Sequence, residues 1–84
     1  MTNVKVVFFA SLKERMGTSS YKIKADLPLT VKEFKVHLSK ELEGGEFILE
    51  SGIQSSIDFE FSRDTDVIPV NVQEVAFFPP VTGG

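Results

Sequence analysis

Two hydrophobic periods alternate along this chain, and the changes between them mark its elements. Val4 to Phe9 is apolar except for Lys5, as expected of a central strand covered on both faces. Tyr21-Lys22-Ile23-Lys24-Ala25 alternates strictly. That predicts a strand with Tyr21, Ile23 and Ala25 inward. Both lysines then stand in water, where they discourage edge-to-edge pairing. Between the two strands, Ser11-Leu12-Lys13-Glu14 has capping-box spacing, and Gly17 is placed to end the short helical turn it starts. The strands are expected to pair antiparallel across that turn.

From Thr30 the period lengthens. Val31, Phe34, Leu38 and Leu42 make one apolar stripe at helical spacing. Thr30 and Glu33 have the spacing of a capping box, and Leu29 and Phe34 that of a hydrophobic staple. Lys32, Lys35, Lys40 and Glu43 are expected on the wet side, with Gly44-Gly45 closing the helix. Glu46 to Ser55 has no clear period. Phe47, Ile48 and Leu49 are expected to tuck under the core there, in a short helical turn. Ser56 to Phe61 alternates again. That predicts one strand with Ile57, Phe59 and Phe61 inward and Asp58 and Glu60 solvated. Thr65 to Val70 reads as a short edge strand limited by Pro69, and Glu74 to Phe78 as the last strand.

The first and last strands are the most apolar, so both belong at the centre of the sheet. With Lys5 and Glu74 outward, Val4, Val6, Phe8, Val75 and Phe77 face the helix, while Val7, Phe9, Ala76 and Phe78 face away. One helix cannot cover both faces of a sheet. These last four are therefore expected to form an apolar patch that a partner covers.

Size and charge narrow the picture. The chain has 84 residues and a net charge of −3, which fits one domain. Residues 1–78 make the domain and 79–84 a projecting tail. It has no cysteine, hence no disulfide, no thiolate nucleophile and no cysteine metal site. No basic stripe points to nucleic acid. No stretch approaches the ~18 apolar residues of a membrane span, and no basic-then-apolar leader opens the chain. A cytoplasmic protein is the expectation.

Ordinary catalytic constellations are missing from the sequence. His37 is the only histidine and sits off the helical stripe, as a surface residue would. Asp64 and Asp66 lack the spread of oxygen ligands a metal loop needs and read as turn residues. No glycine-rich phosphate loop follows a strand. No metal site and no active site of the chain's own are expected. The unusual resource is the end, Phe77-Phe78-Pro79-Pro80-Val81-Thr82-Gly83-Gly84. Two prolines stop the strand and stiffen the exit, because neither can donate a ladder hydrogen bond and Pro80 keeps Pro79 extended. Val81 to Gly84 then carry no charged side chain before a free carboxylate. Glycines without Cβ atoms suit passage through a narrow tunnel.

Val75 to Gly84 closely resembles the C-terminus of the small subunits of molybdopterin synthase, the MoaD family, and Lys5 to Gly17 resembles that family's first strand and following turn. The resemblance covers the chain end to end. It implies an α+β, ubiquitin-like β-grasp fold: a mixed sheet of four to five strands with one main crossover helix. It also implies a sulfur carrier, the sulfur-donating subunit of a sulfurtransferase complex. A ubiquitin-activating-like adenylyltransferase uses ATP to make an acyl-adenylate at Gly84, so nucleotide enters only through that enzyme and no cofactor is held permanently. A persulfide donor converts the adenylate to a thiocarboxylate. Gly83, Thr82, Val81, Pro80 and Pro79 would thread into the large subunit, with Val7, Phe9, Ala76 and Phe78 at the docking face. Sulfur passes there to cyclic pyranopterin monophosphate in molybdenum cofactor biosynthesis, in a heterotetramer of two small and two large subunits. Carriers for thiamin or tRNA thiolation, and ubiquitin-like modifiers, share this tail chemistry and remain alternatives. The sequence departs from the family before the last strand, where Asn71-Val72-Gln73 stands in place of a Gly-Asp turn, and in Ser56–Phe61, which lacks the Asn-centred pattern often seen there.

Overall fold

The computed structural model describes residues 1–43, 45–50 and 52–79. Strands β1 (Thr2–Phe8) and β2 (Ser20–Ala25) pair antiparallel across a short helix α1 (Ser11–Met16). A two-residue strand β3 (Leu29–Thr30) leads into the main helix α2 (Val31–Glu41). A 3-10 turn (Gly45–Leu49) precedes the hairpin of β4 (Gln54–Ile57) and β5 (Glu60–Ser62). β6 (Val67–Ile68) and β7 (Glu74–Phe78) follow. The main sheet has five strands in the order β2-β1-β7-β4-β5. β1 and β7 are parallel neighbours at its centre, with Val6 opposite Val75 and Phe8 opposite Phe77, as their composition predicts.

Strand parity holds on the helix side. Val4, Val6, Phe8, Val75 and Phe77 are buried with Val31, Phe34 and Leu38 of α2. Phe77 lies between Phe8 and Phe34, each ring centroid 6.4 Å away. Ile23 and Ala25 of β2, Leu12 of α1 and Ile48 of the 3-10 turn join this core, with Leu27, Ile53, Ile68 and Val72. The capping box at Thr30 forms. Thr30 Oγ1 accepts the Glu33 N–H at 3.1 Å, and Glu33 Oε1 accepts the Thr30 N–H at 2.9 Å. The next two amides, of Val31 and Lys32, donate to the carbonyls of Asp66 and Asp64. The loop before β6 therefore satisfies helix donors that have no partner within the helix.

Several expectations are corrected. Ser11 does not cap α1; Ala10 holds that position at φ 53° and offers no side-chain acceptor. Gly17 does end the helix in the left-handed region, donating its N–H back to Glu14 and Lys13. α2 stops at Glu41, and Leu42 donates to the Leu38 carbonyl from an extended cap. Gly45 opens the 3-10 turn instead, and Gly44 lies outside the described residues. Leu49 is half exposed rather than tucked in. The Thr65–Val70 strand shrinks to β6, which pairs with β3 outside the main sheet.

Lys35 is buried, against the expectation of a wet lysine. Its Nζ donates to Asp64 Oδ1 at 2.7 Å and to the Ile53 carbonyl at 3.1 Å. A buried ammonium is tolerable only when so paired.

Ser56–Phe61 is the largest departure. It is a hairpin, turned at Asp58 and Phe59, with Ile57 paired to Glu60 and Ser56 to Phe61. A two-residue turn reverses the chain, so the alternation restarts in the opposite sense. Phe61 therefore emerges on the face away from α2, and Phe59 at the tip.

Candidate functional site

The face of the sheet that α2 leaves open carries a line of aromatic rings. Phe9, just past the end of β1, donates its N–H to the Phe77 carbonyl at 3.2 Å. That bond continues the β1–β7 ladder by one residue and sets Phe9 beside Phe78. Their rings stack 4.8 Å apart and 6° from parallel. Phe61 of β5 tilts against the other side of Phe78, at 5.8 Å and 48°. Edge-tilted and offset stacked pairs are the favoured arrangements of aromatic rings.

Beneath the rings, Val7 pairs with Ala76 in the β1–β7 ladder, and Ala76 pairs with Ser56 on β4. A shallow cavity of about 130 Å³ opens between Phe9, Phe59, Phe61 and Phe78 over Ala76. Val7 is half-buried and Phe9 is 44% exposed. Phe59 and Phe61 are 81% and 78% exposed. Ala76 is buried and forms the floor of the patch, which corrects its expected exposure; its strand has a neighbour on each side and rings above it. At the far end of the face, Lys5 and Glu74 approach to 3.9 Å and close it with charge.

Four of the sequence-predicted docking residues thus come together: Val7, Phe9, Ala76 and Phe78. Pro79 follows Phe78 directly and is half-buried. Pro80, Val81, Thr82, Gly83 and Gly84 lie outside the described residues. Phe59 and Phe61, assigned to the core from alternation alone, belong to this face instead. The sequence offers only a weak hint of this, Asp58, a residue type that tolerates positive φ in a two-residue turn but is not followed here by the usual glycine. Asp58 is also more than a solvated side chain. Its Oδ1 accepts the N–H groups of Gln73 and Glu74, each at 2.9 Å. This clamp occupies the region where the sequence lacks a Gly-Asp turn.

Four other titratable groups, His37, Asp64, Asp66 and Glu33, make contacts within the fold. His37 is half-buried and its Nε2 lies 2.9 Å from the Lys24 carbonyl, an acceptor only, so the ring donates. Asp66 accepts the Arg63 N–H and Asp64 holds Lys35. Glu33 is held below its ordinary carboxylate value by the hydrogen bond from the Thr30 backbone and, next, by that from its hydroxyl. Among the described residues, no three side chains of metal-ligating type converge, and no helix is long and apolar enough to cross a membrane.

Comparison with known proteins shows the family and the fold. The model of the ThiS family matches residues 6–84, through the two terminal glycines. The chain belongs to the ThiS family. The Escherichia coli molybdopterin synthase sulfur carrier subunit is 36% identical over 81 residues that cover 96% of this chain and 99% of the relative. Among solved structures, small archaeal modifier protein 1 of Haloferax volcanii superposes with a TM-score of 0.79 at 22% identity, covering 96% of this chain and all of that one. A chain from the complex of subunits 1 and 2 of the Helicobacter pylori molybdopterin-converting factor gives 0.66 at 19%, covering 99% and 100%. The fold of this ThiS-family chain is the ubiquitin-like β-grasp.

Proposed function

We propose that this protein is the sulfur carrier subunit of a molybdopterin synthase. The observation that carries the reading is the match, from one end to the other, to a relative of that name at 36% identity. The aromatic face supports it, because it places an apolar docking surface where β7 runs out into Pro79. On this reading Gly84 supplies the reacting carboxylate. A carboxylate is a poor electrophile, so it is first adenylated by ATP on a partner adenylyltransferase. The outer sulfur of a persulfide donor then displaces AMP to form an acyl disulfide, and a second thiol reduces its S–S bond, which leaves the thiocarboxylate on Gly84 and a disulfide on the donor. The charged tail enters the large subunit, and the sulfur passes to cyclic pyranopterin monophosphate. Two sulfurs make one dithiolene, so each product consumes two charged carriers, which suits a heterotetramer. The cycle belongs in the cytoplasm, where ATP is available and the thiols that take up and release sulfur are kept from forming lasting disulfides.

The tail suits the task physically. Ordering a flexible residue costs roughly 1–2 kcal/mol. Pro79 and Pro80 have little freedom to lose, so threading costs less. Gly83 and Gly84 lose more, but present no Cβ to hinder attack at the terminal carbonyl. Val7, Phe9 and Phe78 would bury against the large subunit while the tail is gripped.

Intact mass spectrometry tests the reading. The protein is incubated with an adenylyltransferase proven on a control carrier, ATP and a sulfur source. The expected result is a mass gain equal to one oxygen replaced by sulfur, located at Gly84, and sulfur transfer once the large subunit and cyclic pyranopterin monophosphate are added. A charged carrier that transfers nothing to that acceptor would move the assignment to another thiolation pathway. An unchanged mass, or recovery of the chain joined to lysines of other proteins, would overturn it.

A further inference from the structure

The tip of the β4–β5 hairpin breaks two rules of local structure at once. A two-residue hairpin turn requires positive φ at its central residues, which favours Asn-Gly or Asp-Gly. Here they are Asp58 at φ 47° and Phe59 at φ 73°. Aspartate tolerates that region, whereas a bulky side chain is strained there. Burial does not account for the phenylalanine either, since Phe59 is 81% exposed. A residue that neither its backbone nor its packing favours points to a contact made elsewhere.

Asp58 anchors that tip to β7. Its carboxylate takes the Gln73 and Glu74 N–H groups, and its own N–H donates to the Glu74 carbonyl at 2.8 Å. These bonds act at the first residue of β7, two positions before Ala76 and four before Phe78. They fix the hairpin relative to the strand that carries the middle of the aromatic face. We propose that Asp58 is a positioning residue for docking: it holds Phe59 and Phe61 beside Phe78, so that the face is complete before the partner arrives. This rests on the reading that the face docks the synthase large subunit.

One oxygen with two lone pairs serves both amides. The side-chain carbonyl of asparagine can do the same, and asparagine also tolerates positive φ, whereas alanine offers no acceptor. If the clamp is lost, two aromatic side chains must be ordered during binding, at a cost of roughly tenfold in affinity.

The test compares the wild type with Asp58→Ala and Asp58→Asn. NMR of the free proteins reports the Phe61–Phe78 ring contact and exchange of the Gln73 and Glu74 amides. Calorimetry with the large molybdopterin synthase subunit of the same organism reports Kd, well below every unfolding midpoint. The expected result for Asp58→Ala is an intact Phe8–Phe77–Phe34 core, faster exchange at both amides, loss of the ring contact and about tenfold weaker binding. Asp58→Asn should restore all three. Retention of the ring contact in Asp58→Ala overturns the proposal. So does wild-type affinity without the contact, or an Asp58→Asn variant as defective as the alanine. Failure of the wild type itself to bind overturns the docking reading instead. The ring contact in free Asp58→Ala then decides whether Asp58 positions the hairpin.

Discussion

At the scale of single residues, type and position can give opposite advice, and Lys35 shows which prevails. It lies four residues after Val31 and three before Leu38, both buried. Helical geometry therefore puts it on the inner face. Its charge argued for water, and the structure resolves the conflict by giving the ammonium two oxygens. Thr30 and Glu33 present no such conflict, and spacing alone was enough to read the cap. Their reciprocal bonds make a measurable claim. Thr30→Ala should cost about 1 kcal/mol. Glu33 adds a pH signature. Its folded-state value is depressed, so its contribution is in full above the ordinary glutamate value. It is lost as pH falls through the lower, folded value. Glu33→Gln should therefore be destabilising at neutral pH and should converge on wild type in acid. Urea unfolding at a series of pH values measures this, and a gap that persists at the acid end would assign the loss to something other than the charge.

At the scale of elements, the parity of β1 and β7 was legible because both strands are continuous and each carries one charge, at Lys5 and at Glu74, to set the phase. From those phases came the core residues Val6, Phe8, Val75 and Phe77 and the open-face residues Phe9 and Phe78. The β4–β5 hairpin was not legible, because Asp58-Phe59 lacks the glycine that usually marks such a turn. Without that mark, six alternating residues look like one strand, and Phe61 is assigned to the wrong face. The same turn yields a prediction. Phe59→Gly relieves a strain of about 1–2 kcal/mol. It gives back about 0.4–1 kcal/mol through the added freedom of the unfolded chain. Little packing is lost, because the ring is exposed. The net is about 0–1.6 kcal/mol, so the unfolding midpoint should hold or rise by up to roughly 10 °C, while affinity for the large subunit falls. Thermal unfolding and calorimetry on the one variant separate the two effects. A lower midpoint would show that packing, rather than docking, keeps the phenylalanine there.

At the scale of the whole molecule, β7 serves two purposes on alternate residues. Phe77 lies in the core between Phe8 and Phe34, while Phe78 sits between Phe9 and Phe61 on the opposite face. The fold and the aromatic face can therefore be damaged separately, one residue apart. The tail was read on different grounds: its expected chemistry came from a resemblance that covers the whole chain, since the periodicities end at Phe78. Docking and transfer should be separable too. Phe78→Glu, or Phe9→Glu, places a charge in an aromatic face that a partner must dehydrate, and truncating such anchors typically costs about 2 kcal/mol or more. Either variant should bind the large subunit at least some thirtyfold more weakly and keep a folded core by NMR. One residue added after Gly84 does the reverse. It leaves the aromatic face untouched, so affinity should stay within a few fold of wild type. It also converts the Gly84 carboxylate into a peptide carbonyl, which cannot be adenylated, so no sulfur is carried. Binding without charging in the extended variant, against charging with weak binding in Phe78→Glu, would establish that the sheet face grips and the tail reacts. Equal loss of both properties in either variant would mean that the two are a single site.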